Sequence, residues 1–365
     1  MSEKGATPPA GVTAEVFEAW RSPQEGSANP ERMNNPLWEW LVECRLSAYQ
    51  ANEILNGPSP FDAGPMWCFD RFGQSVSQLP DGRQVLIAGE HEDHYDPDFH
   101  IYNDLVIIDE RGRAEIYGYP LEVFPPTDFH SASVTDTQIV LIGNLGYRQD
   151  RSLGETQVVT VERESWAISS VRTAGPSPGW IHNHKAEVRN DRTAILVTGG
   201  KLFRGDGASL IENIDDWLLH LDGWRWERLT ERRWTRFEVT GKDRRHNHLW
   251  NLRQVLWHRK MGWHDFDASE RKLETELGMP LRLDVVPLLY RPPIAHDVMP
   301  EQEDEYNIYR IRVDGVVVRY VEDRFSVQMT IEGELQPGMV EQLRDDLVRK
   351  LETVEQSPLV CEAIA

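Results

Sequence analysis

Three segments of the chain follow one pattern: residues 85–89 read Val-Leu-Ile-Ala-Gly, residues 139–143 read Ile-Val-Leu-Ile-Gly, and residues 195–200 read Ile-Leu-Val-Thr-Gly-Gly. Their first glycines are 54 and 56 residues apart. A polar loop and a second apolar run follow each segment, at 105–109, 157–161 and 217–221. An aromatic residue then closes each copy, at Tyr117, Trp166 and Trp226.

Each copy also opens with a short strand-like stretch, at 71–75, 128–132 and 182–186. β-Branched runs between glycine turns, repeated at this length, indicate one four-stranded sheet per repeat. We therefore predict successive blades of a β-propeller. Three blades do not close a ring, since propellers usually have four to eight. Either further blades come from less regular segments, including 230–295, or the propeller is incomplete and capped.

The order of these features resembles that of kelch repeats: an apolar strand, a glycine turn, a variable loop, a second strand and then an aromatic residue. The resemblance covers about residues 62–230, and the double glycine of the family is complete at Gly199-Gly200. The other copies read Gly89-Glu90 and Gly143-Asn144, and Tyr117 replaces the first tryptophan. The resemblance implies a kelch-like β-propeller core.

Three regions are expected along the chain. Residues 1–58 form a tail and a helical cap, in which Asn35 and Pro36 start a helix that runs to about residue 56. Residues 59–295 form the kelch-like propeller, with a helical insertion near 248–278. Residues 306–365 form a small C-terminal β-β-β-α-β domain of the α+β type, in which Asp314-Gly315 predicts a hairpin turn. The fold class is thus mainly β.

Composition narrows the classes of partner. The 365 residues carry a formal charge of −21, which argues against a nucleic-acid groove and against binding to anionic membranes. No apolar leader or 18-residue apolar run is present in the sequence. Three widely spaced cysteines suggest neither a disulfide framework nor a zinc ribbon. We expect a cytoplasmic protein.

The residues that open each copy are the first candidates for ligand binding. In kelch propellers the residues that open this strand tend to rim the pocket at the central channel, and the matching positions here are Arg71, Asp128 and His182. His130 lies two residues after Asp128, and His184 lies two residues after His182. Because side chains two apart on a strand share a face, His182 and His184 could point together and be joined by His130. Three imidazoles could hold a metal with an open coordination position. The alternative is that one or two of these histidines are hydrogen-bonded parts of the fold.

The second candidate is the loop after the first glycine turn, which is rich in carboxylates and imidazoles. Such donors suit iron, manganese or zinc. Glu92, Asp96 and His100 have an E-x3-D-x3-H spacing, which resembles the iron-binding motif of the kelch-type specifier proteins. In that family the glutamate directly follows the glycine turn, a position that Glu90 occupies here, and its own series continues through His94. The alternative to a metal site is a solvated acidic loop.

The sequence contains no phosphate-binding loop or nucleophile motif that fixes a reaction. We therefore expect a non-enzymatic binding module that recognises a protein or small ligand through propeller loops. The rival hypothesis is a metal-dependent enzyme that uses the His/Asp/Glu cluster on the propeller face. A homodimer through residues 306–365 is also expected, because one helix covers only one face of a small sheet. Docking of that face onto the chain's own propeller is the alternative.

Overall fold

The computed structural model of the protein describes residues 7–57, 64–91, 99–243, 245–262, 267–278, 280–300 and 307–364. The chain is mainly β, with 30% strand and 21% helix. It divides into two compact units, Met1–Glu231 and Arg232–Ala365. Among the described residues, none of the helices has the length and hydropathy needed to cross a membrane.

The first unit contains three successive antiparallel sheets, which correspond to the three sequence repeats. The first sheet consists of β1 (Glu31–Arg32), β2 (Ser75–Gln78), β3 (Gln84–Ile87), β6 (Leu105–Ile108) and β7 (Ala114–Gly118). The short pair β4 (Glu90–His91) and β5 (His100–Ile101) precedes β6. The second sheet consists of β8 (Ser131–Val134), β9 (Gln138–Ile142), β10 (Val158–Glu162) and β11 (Ile168–Ser170). The third consists of β13 (Lys185–Val188), β14 (Ala194–Thr198), β17 (Trp217–His220) and β18 (Arg225–Arg228). A small extra sheet combines β12 (Ile181–His182), β15 (Lys201–Leu202) and β16 (Ile211–Glu212).

The strands of each repeat lie side by side in chain order, so that the first strand of the repeat is an edge of its sheet. These edge strands, β2, β8 and β13, lie next to one another in chain order. Apolar side chains from facing sheets fill the space between neighbours: Ile87 and Leu105 pack with Leu141, and Ile142 packs with Ile195. The repeated apolar runs thus provide both the sheet interiors and the contacts between sheets.

Backbone hydrogen bonds fix the register of the copies relative to one another. The Phe129 amide donates to the Gly73 carbonyl at 2.9 Å, and the Asn183 amide donates to the Phe129 carbonyl at 2.8 Å. Gly73, Phe129 and Asn183 all have φ between 49° and 63°. They are therefore equivalent positions. Phe72, rather than the Arg71 that the sequence pattern suggests, is therefore the residue equivalent to Asp128 and His182.

Glycine is required by close packing at the turn after the first apolar run of the second and third repeats. At Gly143, φ is +78°, and a Cβ atom would lie 2.3 Å from the Ile181 carbonyl oxygen. At Gly200, φ is +86°, and a Cβ atom would lie 2.7 Å from the His182 carbonyl oxygen. Only glycine fits these turns without displacement of the backbone of the following strand.

The N-terminal helices cover the outer part of the first sheet. They are α1 (Ala14–Trp20), α2 (Pro36–Cys44) and α3 (Ala48–Ile54). Asn35 caps α2 as the sequence indicates, since its Oδ1 atom accepts from the Leu37 and Trp38 amides. The expected single helix to residue 56 is wrong, because Arg45 is left-handed and Ser47 starts α3 with a capping box. The helices pack on the sheet through a shared core that includes Leu41 and Val106.

The second unit is a six-stranded antiparallel sheet with helices packed on its apolar face. Its strands are β19 (Thr235–Gly241), β20 (Asp297–Val298), β21 (Ile308–Val313), β22 (Val316–Glu322), β23 (Ser326–Ile331) and β24 (Leu359–Ala363). Its helices are α4 (His248–Met261), α5 (Asp267–Leu277) and α6 (Pro337–Glu355). The expected β-β-β-α-β series is present as β21, β22, β23, α6 and β24.

The position of β19 differs from the sequence interpretation, which placed residues 230–295 with the propeller. β19 lies between β23 and β24 and pairs with both, for example through Val239, which faces Val327 on one side and Cys361 on the other. The change from one unit to the other therefore occurs at residues 231 and 232 rather than between 295 and 306.

Candidate functional site

Arg71, the first of the predicted ligand-binding residues, is fully engaged inside the fold. Its guanidinium pairs with both oxygens of Asp104, at 2.5 and 2.9 Å, and also donates to the carbonyls of Cys68 and Ala88. It lies 3.4 Å from the centroid of the Tyr102 ring. Because these groups accept from four of its five N–H donors, Arg71 is part of the wall behind the site rather than a free cation.

His130 and His184 connect neighbouring sheets. The Nε2 atom of His130 lies 2.8 Å from the Ser75 hydroxyl, and that of His184 lies 2.8 Å from the Ser131 hydroxyl. Burial lowers the pKa of His130 to about 3 and that of His184 to about 4. Both rings are therefore neutral at neutral pH, and each joins one repeat to the serine of the repeat before it.

Asp128 and His182 are also buried, with exposed fractions of 1% and 2%. An oxygen of Asp128 accepts from the Gly146 amide at 2.6 Å, and burial raises the pKa of this carboxyl group. Burial, with the charges of Lys201 and Arg151, lowers the pKa of His182 to about 3. Within the described part of the chain, no three His, Cys, Asp or Glu side chains form a group that could hold a metal ion. The arrangement thus matches the structural alternative for His130 and His184, whereas the role of His182 stays a prediction.

The predicted metal loop falls mostly on residues that the structure does not describe. Glu92, His94 and Asp96 lie outside the described residues. Glu90 and His100 are in the short strands β4 and β5, where Glu90 pairs with Ile101. The metal hypothesis for this loop therefore stays a prediction.

A cavity of about 250 Å³ lies beside His100 of β5 and the segment that links β5 to β6. Its wall includes the N-terminal segment 23–25, residues 100–104, and Tyr147 from the second repeat. The lining residues are Pro23, Gln24, Glu25, Trp67, His100, Ile101, Tyr102, Asn103, Asp104, Leu121, Pro126 and Tyr147.

Hydrogen bonds and ring contacts hold this wall in place. The Ile101 amide donates to the Tyr147 hydroxyl at 2.9 Å, which joins the first repeat to the second. His100 meets the Tyr102 ring edge-on, with ring centroids 4.7 Å apart. The Trp67 indole donates to Asp104 at 2.7 Å. The polar groups of the wall are thus mostly preorganised, as in typical small-ligand sites.

The charged side chains that line the cavity differ in whether an oppositely charged group compensates them. Asp104 is compensated by Arg71, so its carboxylate adds no net charge to the wall. Burial and the positive charge of Arg71 lower the pKa of His100, which is therefore neutral at neutral pH. Glu25 is exposed at the cavity and has no ion-pair partner in the described residues. The lining therefore carries one uncompensated carboxylate and no uncompensated cation.

Of the residues that line this cavity, sequence reasoning had selected only His100. Tyr147 was detectable in principle, since it follows the second glycine turn in a loop equivalent to the one that carries His100. Glu25 and Gln24 lie outside the repeats, and their sequence context gives no indication that the chain returns to the loop.

Comparison with known proteins adds little to this geometry. No protein-family model matches the chain. Among solved structures, a mutant levansucrase of B. megaterium matches at 8% identity with a TM-score of 0.24. The match covers 44% of this chain and 48% of the levansucrase, so the chain spans about half the length of that protein. A likeness of this size supports no inference about the chain, and the site must be interpreted from its own residues.

Proposed function

We propose that this protein is a non-enzymatic binding module, in which loops carried on a kelch-like propeller segment recognise a protein or a small ligand. The observation that supports the proposal most is the cavity beside His100, which loops from two repeats and the N-terminal segment build together. A rigid sheet framework that carries variable loops is a common basis for recognition.

The kelch-like part of the proposal is supported by the order of the strands. Each repeat makes a four-stranded antiparallel meander, and the first strands of the three meanders are neighbours. In the second and third repeats the closing aromatic residues, Trp166 and Trp226, are buried in the apolar layers between sheets. Both observations agree with the order of features on which the kelch resemblance rests.

A filled cavity provides the test. Leu121 lines the cavity and is 42% exposed, so Leu121→Trp should obstruct it without disturbing the core. Leu153→Trp is the matched control, because Leu153 is 63% exposed and is not a lining residue. Compounds that bind the wild type in a ligand-observed NMR screen should fail to bind Leu121→Trp but should still bind Leu153→Trp. The compounds should also be recovered chemically unchanged after incubation with the wild type, as expected for a protein that binds them without a reaction. Equal binding by both variants would refute the assignment of the cavity.

A metal-dependent enzyme is the second candidate, because His100 belongs both to the cavity and to the predicted metal set of Glu90, Glu92, His94 and Asp96. Elemental analysis of protein purified without a histidine tag distinguishes the two proposals. Stoichiometric iron, manganese or zinc that is lost in His100→Ala would favour the enzyme. Absence of bound metal after incubation with each ion would favour the binding module.

A further inference from the structure

Asn103 presents a hydrogen-bond acceptor to the cavity. Its side chain is buried, with 7% of the residue exposed, and both amide hydrogens are used: Nδ2 donates to the Tyr119 and Phe124 carbonyls at 2.9 and 3.1 Å. The Oδ1 atom accepts no hydrogen bond in the described part of the chain. An amide oxygen without a protein donor, on a residue that lines a cavity, can accept from a ligand that supplies an N–H or O–H group.

The rest of the lining adds acceptors and negative charge. The Glu25 carboxylate contributes two acceptor oxygens. The Tyr147 hydroxyl already accepts from the Ile101 amide. Since Arg71 is paired with Asp104, the cavity lining offers no unpaired cation to an anionic ligand. The charge of −21 on the whole chain also raises the local concentration of cations.

We infer that the cavity binds a small organic cation, either a primary ammonium or a guanidinium group, carried by a free amine or by a lysine or arginine side chain of a peptide. This inference rests on the proposed binding function and specifies its ligand class. The cationic head donates to Asn103 Oδ1 and pairs with Glu25, while its alkyl chain lies against apolar lining residues such as Leu121. A neutral His100 does not oppose the charge.

Three probes of similar size isolate the effect of charge: butylamine, 1-butanol and butyrate. Agmatine adds a guanidinium, and an acetylated, amidated pentapeptide with one central arginine tests the peptide source. Binding is measured by ligand-observed NMR at low and high salt. We expect butylamine and agmatine to bind, the neutral and anionic probes not to bind, and salt to weaken the amines. Binding of the pentapeptide tighter than that of agmatine would identify the peptide as the source, and the reverse would identify a free amine.

Glu25→Gln removes the charge and preserves the shape of the side chain, and Glu122→Gln is its control on an exposed residue outside the cavity. The first variant should bind agmatine roughly threefold to tenfold more weakly, the range for a charge-assisted contact at a partly exposed site. Equal weakening by both variants would indicate general charge attraction and overturn the inference. If the protein instead binds butyrate or butanol preferentially, and Leu121→Trp blocks that binding, the ligand class is overturned. The proposed binding function would still stand in that case. Failure of every probe and of a broader compound screen would overturn both.

Discussion

Acid should loosen the contacts between the three repeats, because three histidines of the first unit are buried in the neutral form. His130 and His184 each bond to a serine of the preceding repeat, and His182 lies close enough to His184 for the charge of one ring to affect the other. Their pKa values in the fold are about 3, 4 and 3 in the order His130, His184 and His182. An unfolded chain would protonate the same rings near pH 6.5.

The size of the effect follows from this difference. The folded-state pKa values are depressed, so the stabilising contribution is complete above about pH 6.5 and is lost as the pH falls toward 4. Between pH 7.5 and pH 5, each histidine gains a proton only in the unfolded state, which costs about 2 kcal/mol of stability. Three such rings cost about 6 kcal/mol, a large part of the roughly 5–15 kcal/mol that stabilises a typical domain.

The first repeat suggests a substitution that keeps the fold. Gln74 occupies the position equivalent to His130 and His184, directly after the positive-φ residue, and it donates to a backbone carbonyl. The double variant His130→Gln and His184→Gln should therefore fold and lose about 2 kcal/mol between pH 7.5 and pH 5 instead of about 6. The measurement is hydrogen–deuterium exchange by mass spectrometry on peptides that contain Phe129 and Asn183, whose amides bond between repeats.

His220→Gln is the control for the substitution itself, because His220 lies in the same unit and its ring contacts Glu227 of its own sheet, 2.8 Å away, rather than a serine of another repeat. If the double variant loses as much stability as the wild type between the two pH values, to within about 1 kcal/mol, the buried histidines do not cause the acid sensitivity.

Four further predictions concern stability and assembly. Asp104→Asn leaves the buried Arg71 unpaired and should lower stability by about 3–5 kcal/mol in urea unfolding, whereas Asp206→Asn, which removes an exposed pair with Arg148, should leave the midpoint unchanged. A fragment of residues 232–365 should fold by circular dichroism, whereas a fragment of 306–365 should not, because it lacks the interior strand β19. Glu355→Gln should cost about 1 kcal/mol, since this carboxylate accepts from the first two amides of α4, and an unchanged unfolding midpoint would contradict the capping role. Light scattering should show a homodimer that Val360→Pro disrupts, because Val360 lies on the edge strand β24, and a monomer at micromolar concentration would rule out this assembly.

The parts of the fold that the sequence predicts are those with local causes. The apolar runs become the interior strands of the three sheets, and Asn35 caps a helix. Asp314 and Gly315 adopt positive φ in the turn that joins β21 to β22, as the hairpin turn requires. Each of these features depends on a few adjacent residues, so the printed sequence contains the information needed.

Features that depend on distant partners were not predictable in this way. Phe237 and Val239 alternate with polar residues and indicate a strand, but nothing nearby shows that it pairs with strands that begin about 85 and 120 residues later. The cavity has the same origin, since Glu25 and His100 meet there only because the N-terminal segment returns to the first repeat.

The histidines show how a residue that recurs with the repeat can hold the fold together. A histidine that recurs at equivalent positions of two repeats resembles a ligand set, yet its partner is a serine that also recurs, one repeat earlier. Side chains that recur with the repeat are well placed to hold each sheet to the one before it, because that contact recurs as well. The candidate cavity is lined instead by groups that differ between the repeats: His100 from β5 and Asn103 from the segment after it, Tyr147 from the second repeat, and Glu25 from outside the repeats. In a chain built from copies, the positions where the copies differ are therefore the better candidates for ligand binding.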